Sequence, residues 1–182
     1  MLANYLDYKM SVKLDAIENK ELFVARETER IKGTVATNGL NKYLIDDTLV
    51  ITMSTISGSP FSKDPYQYNQ IYKLLEDNVV DDDDVSNVVI TLNGDLNSST
   101  LAKDKAMLDY ILNKVYNEKR VNFYVVMYAG DSPSDTTDNG IRYIRLSSKI
   151  SNAYPTNIFI MRKNDEGKLD YNLINYEQLI KN

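Results

Sequence analysis

The chain has 182 residues, 43% of them apolar and 26% charged, with a net charge of −5, a size that suits one domain with a sizeable core. The acidic balance and the lack of a basic block argue against a sequence-independent grip on nucleic acid, and no apolar run approaches the roughly 20 residues that span a bilayer. With no Cys and no His, thiolate chemistry, disulfides and imidazole are excluded, so any catalysis must come from carboxylates, Lys, Tyr, Ser, Thr or Arg, and the metal expected to assist them is a hard cation such as Mg²⁺.

The N-terminus, MLANYLDYKMSVKLD, carries Asp7 and has no apolar core of a secretory signal. Leu2, Leu6, Met10, Leu14 and Ile17 recur at near-helical spacing and predict an amphipathic helix over 2–17. The next segment, ELFVARETERIKGTVATNG, reads as helix and then strand, or as the same helix running to a stop at Gly33. KYLIDDTLVITMSTI (42–56) is rich in β-branched residues and reads as one strand, and SGSPFSKD (57–64) as a turn-rich loop. A second helix starts with Asp64 as cap, Pro65 at the first helical position and Gln67 three residues after the cap, with Tyr68, Ile71, Tyr72 and Leu75 as its apolar face.

DNVVDDDDVSN (77–87) reads as a solvated acidic connector. NVVITLN (87–93) is apolar on both faces, as a buried strand is. Ser98 or Ser99 is the expected cap of the best-formed helix, with Leu101, Leu108, Ile111, Leu112 and Val115 along one side. VNFYVVMYAG (121–130) is a second buried strand, so 87–130 forms one βαβ unit with parallel strands. DSPSDTTDNG (131–140) reads as an acidic loop. Strands follow at IRYIRLSS and NIFIMRK, then a turn at NDEG and a last strand at KLDYNLIN, which closes an antiparallel hairpin. The expected fold is therefore α/β (α+β): a mixed, partly parallel sheet with packed helices. It is read as a single domain over 1–182, with 1–32 at most a helical appendage.

The chemistry-bearing candidates gather at one place. In open α/β sheets ligands sit beyond the carboxyl ends of the strands. Asp95 follows strand 87–93 and Asp131 follows strand 121–130, so the two carboxylates can share a Mg²⁺, with Asp135 as a further ligand in the loop. Ser98, Ser99, Thr100 and the helix amides can receive a phosphate, and Lys103 or Lys105 can add charge. Structure explains the same residues more cheaply: Gly94 turns the chain, Asp95 solvates the turn and a serine caps the helix. Neither GxxxxGK nor GxGxxG is present. Asp81–Asp84 lacks the spacing of a calcium loop and reads as a solubilising run. Arg142 and Arg145, three apart on a strand, face opposite ways and form no common patch.

The 14 tyrosines divide between core and partly wet interfaces. Tyr5, Tyr8, Tyr66, Tyr68, Tyr72, Tyr171 and Tyr176 lie in segments expected near the surface. With 19 Asn beside them, the composition suits an AT-rich genome. The leading expectation is a non-enzymatic structural or assembly protein, a bacteriophage virion component of the tail or head–tail connection, found in the virion or the host cytoplasm. Its partners are other protein subunits, in a homo-oligomer or a multi-protein assembly, with no sequence-specific nucleic acid, no membrane and no cofactor. The alternatives are a Mg²⁺-dependent phosphodiesterase or nucleotide-handling enzyme using Asp95 and Asp131, and a small inhibitor of a host protein.

Overall fold

The computed structural model describes residues 23–25, 41–53, 65–81, 84–92, 94–128, 132–146 and 157–175. The expected helix at 2–17 and the loop at 57–64 lie outside them, as does Asp64. The chain forms two compact units, residues 1–36 with 157–182, and residues 37–156.

In the first unit β1 (Phe23–Ala25), β8 (Asn157–Lys163) and β9 (Leu169–Asn175) make an antiparallel sheet of three strands in the order β1-β8-β9. The hairpin β8–β9 is the expected one, closed at Asn164–Gly167, where Gly167 takes φ 75°. The Asn164 side chain accepts from the amides of Glu166 and Lys168 at 3.0 Å each and so satisfies the turn. Leu169 is buried, while Asp170 and Asn172 are exposed, as in a strand with one covered face, but Leu173, on the face of Leu169, is 41% exposed, so the cover does not reach it.

The second unit carries the larger sheet, six strands in the order β2-β3-β4-β5-β7-β6. β3 (Thr48–Thr52), β4 (Asn87–Leu92), β5 (Asn122–Tyr128) and β7 (Ile141–Leu146) run parallel, and the edge strands β2 (Asn41–Ile45) and β6 (Ser134–Asp138) are antiparallel to their neighbours. The fold is thus mixed α/β, and the βαβ unit stands as read: β4 and β5 are parallel neighbours in register from Asn87↔Asn122 to Leu92↔Met127. The apolar runs of these central strands are buried on both faces; Val88 and Ile90 lie on one face, Val89 on the other.

Helices α1 (Pro65–Leu75) and α2 (Ala102–Glu118) cover one face. Ile71, Leu75, Leu108, Leu112 and Val115 meet Leu49, Ile51, Val88, Ile90, Phe123 and Val125 in one core cluster. Fully burying a side chain of this kind contributes about 1.5–3 kcal/mol, and this shared cluster is what holds the layers together. At the start of the sheet the buried Asn87 is satisfied by Asn122, whose Nδ2 donates to its Oδ1 at 3.1 Å.

Five expectations are corrected. Residues 42–56 are not one strand: β2 and β3 form a hairpin, closed between Ile45 and Thr48, with Asp46 at φ 50°. Asp is among the few residues that visit this region readily, and β-branched residues on both sides hide the reversal. The connector at 77–87 begins as helix, because a π-helical turn over Glu76–Val80 extends α1 and buries Val79, while Val85 and Asn87 are buried farther on. Asp81 and Asp84 are exposed, as a solubilising run requires.

Neither serine caps α2 through its side chain. The chain enters through a 3₁₀ turn, Ser99–Leu101, with the Leu101 amide donating to the Ser98 carbonyl at 3.1 Å. The loop at 131–140 contains edge strand β6, joined to β7 by Asn139 (φ 50°) and Gly140 (φ 81°), a two-residue turn with both residues left-handed. Its strand is polar and exposed, so it lacks the apolar alternation that marks a strand in sequence. Tyr68, expected near the surface, is only 4% exposed.

Candidate functional site

Because β4 and β5 are adjacent and parallel, their carboxyl ends lie at one edge of the sheet, where α/β folds place ligands. Asp95 stands at that edge. Its Oδ1 accepts from the Asn97 amide at 3.0 Å, and its Oδ2 accepts from Arg145 Nη1 at 2.9 Å. Both side chains are about four-fifths buried, with 20% of Asp95 and 22% of Arg145 exposed. The carboxylate is therefore turn-former and counter-ion at once, one oxygen on the Asn97 amide and the other on the guanidinium. Asp131 lies outside the described residues. Asp135 sits on β6, where Arg142 grips it through Nε and Nη2, the latter at 2.9 Å.

The two arginines thus reach separate carboxylates, as their spacing on β7 implies. Among the described residues no three acidic side chains gather closely enough to hold a metal ion.

At the 94–100 step, where a phosphate cradle is expected, three amides are used by the chain itself. The Asn97 amide donates to the Asp95 side chain, the Ser98 amide to the Asp95 carbonyl at 2.9 Å, and the Leu101 amide to the Ser98 carbonyl. Lys105 points elsewhere. Its Nζ lies 2.6 Å from Asp109 Oδ2, 3.6 Å from Asp138 and 4.7 Å from the centre of the Tyr143 ring.

Sequence reasoning missed a different pattern: two tyrosine–aspartate clasps hold α2. Tyr68 of α1 donates to Asp104 Oδ1 at 2.6 Å in the interior, and Tyr143 of β7 donates to Asp109 Oδ1. Burial is the first cause that pushes both phenols well above their ordinary range, and the carboxylate each one touches pushes the same way. Both tyrosines are therefore fixed donors at neutral pH. The signal in sequence was Asp104 and Asp109 near the apolar stripe of α2, where a carboxylate needs a partner.

Among the described residues large apolar side chains are exposed at the edge of the larger sheet, on the outer face of α2 and at Leu173 of β9. Leu44 is 59% and Ile45 36% exposed on β2, which has one strand neighbour, β3, among the described residues. Met107 and Tyr110 are exposed one helical turn apart on α2. Among the described residues no helix is long and apolar enough to cross a membrane.

No family model matches the sequence, and no curated protein matches it. Among solved structures the chain is similar to GAP50, the anchor in the inner membrane complex of Plasmodium, at 13% identity and a TM-score of 0.43, over 77% of this chain and 50% of that one. The chain spans about half the length of that protein.

Proposed function

We propose that this chain is a non-enzymatic structural or assembly protein that works through protein–protein contacts, other copies of itself among its partners. The observation that carries the reading is edge strand β2, which presents Leu44 and Ile45 to solvent. Natural edge strands are usually blunted by charge or covered, because an open ladder accepts another strand. The opposite edge shows that protection in full: β6 is polar throughout, with Asp135 and Asp138 on it, whereas β2 carries one charge, Lys42, whose Nζ donates to Asn78 Oδ1 at 3.0 Å. Strand addition at β2 supplies main-chain hydrogen bonds, and the two apolar side chains supply burial. A phage virion, at the tail or head–tail connection, is the proposed setting, in keeping with a chain that lacks Cys, His and Trp and whose Asn- and Tyr-rich composition suits an AT-rich genome.

Sedimentation of the full chain across a concentration series, beside Leu44→Lys, tests the proposal. Self-association that the charged variant weakens supports it. A chain that stays monomeric at all concentrations, and is monomeric in its native particle, sinks it. A monomer that instead captures one host protein is the outcome expected of an inhibitor.

A further inference from the structure

We infer that Asn139 is a site of spontaneous covalent modification, an asparagine poised to convert to isoaspartate and aspartate at the tip of the β6–β7 hairpin. The chain has three Asn-Gly pairs, at 38–39, 93–94 and 139–140, and at 139–140 both residues are described. Both are exposed, at φ 50° and 81°, in a two-residue loop closed by the pair Asp138↔Ile141. Glycine has no Cβ to shield its amide nitrogen, and the central amides of such a loop lie outside the ladder.

In the reaction the Gly140 backbone nitrogen attacks Cγ of Asn139. The C–N bond to Gly140 forms, the bond to the side-chain nitrogen breaks, and ammonia leaves carrying the proton that Gly140 gave up. Water then opens the five-membered imide: attack at the side-chain carbonyl breaks the Cγ–N bond and leaves aspartate, and attack at the Asn139 backbone carbonyl leaves isoaspartate, with the chain running to Gly140 through Cγ. The sum is asparagine plus water giving acid plus ammonia, with no other reactant.

Reaching the ring requires the loop to leave its left-handed conformation, and the position of the hairpin makes this opening cheap. β6 is an edge strand, exposed along nearly its whole length, and few buried contacts oppose its fraying. Asn87 and Asn122 make the contrast: each lies inside the sheet, followed by Val88 and Phe123, whose side chains crowd the amide.

The two products differ in consequence. Aspartate keeps the main chain and tolerates a positive φ. Isoaspartate adds a methylene to a loop whose two-residue length sets the register of β6 on β7. It releases the Asp135–Arg142 pair and uncovers the edge of β7.

The experiment is incubation of the full chain at mildly alkaline pH, followed by peptide mapping with isoaspartate detection and by hydrogen exchange. A denatured sample runs in parallel, as do Asn139→Gly, which keeps a compatible turn and cannot react, and Asn139→Asp. The expected result is conversion of Asn139 in the folded chain while Asn87 and Asn122 stay intact, with isoaspartate the larger product and no change at that site in Asn139→Gly. The isoaspartyl fraction is expected to lose exchange protection across 134–138 that Asn139→Asp retains. Asn139 remaining intact in the folded chain, whether or not it converts in denaturant, overturns the inference. So does an isoaspartyl fraction as well protected as Asn139→Asp.

Discussion

The Tyr68 hydroxyl and the Asp104 carboxylate meet at 2.6 Å with both residues buried, joining α1 to α2 inside the core. Tyr68→Phe keeps the ring and removes the donor, leaving a buried carboxylate with one bond fewer. The expected cost is about 1–3 kcal/mol, the desolvation penalty of the acceptor left behind. Tyr143→Phe should cost less, because Asp109 is 27% exposed and keeps Lys105. Urea unfolding of the two variants checks the order; a Tyr68→Phe protein as stable as the parent refutes it.

The same clasps set an alkaline limit. Both phenols are held above their ordinary value in the folded chain, so each favours the fold fully below about pH 10, where free tyrosine is still protonated. Above that pH the unfolded chain releases protons that the folded chain keeps, and stability falls as pH rises. The slope approaches ~1.4 kcal/mol per pH unit for each such tyrosine. Unfolding midpoints between pH 9 and pH 11 should drop for the parent and drop less steeply for Tyr68→Phe. Parallel pH profiles would refute the assignment.

Gly140 and Gly167 both sit at positive φ, 81° and 75°, in turns of different units. An alanine Cβ at Gly167 meets nothing within 4 Å, and at Gly140 it comes to 3.4 Å from the Tyr116 ring, an ordinary contact. The cost at both sites is therefore conformational, roughly 1–2 kcal/mol. Exchange protection of each hairpin should fall by similar amounts in Gly140→Ala and Gly167→Ala, and asparagine should be milder at either position. A much larger loss at Gly140 would mean that Tyr116, over which Arg120 lies at 4.2 Å, cannot give way.

The parts of the fold that were legible were those with a strong period. The stripe Leu108, Ile111, Leu112 and Val115 marks α2, and Val88–Ile90 and Phe123–Val126 mark buried parallel strands. The misread parts carried a turn or strand without its usual chemistry. Asp46–Asp47 reverses the chain without glycine, and Ser134–Asp138 pairs through its backbone while its side chains face solvent. The partners of Asp95 were hidden for another reason. Arg145 lies 50 positions away in the chain, and only strand order brings the two together.

That pair also supplies the sharpest test between the assembly and metal readings. Arg145→Met keeps an apolar stem and frees Asp95 Oδ2, while the Asn97 amide still holds Oδ1. The pair is only partly exposed, so its loss should cost about 1 kcal/mol, near the upper end for accessible ion pairs. Asp95→Asn added to Arg145→Met should recover part of it, since no unpaired charge remains. If Asp95 belongs to a Mg²⁺ site, removing the competing guanidinium strengthens that site, and binding to the folded state raises the unfolding midpoint with Mg²⁺ concentration. On the assembly reading, Mg²⁺ shifts Arg145→Met no more than sodium chloride of equal ionic strength. A rise specific to Mg²⁺ that Asp95→Asn abolishes would move the balance to the metal-dependent enzyme.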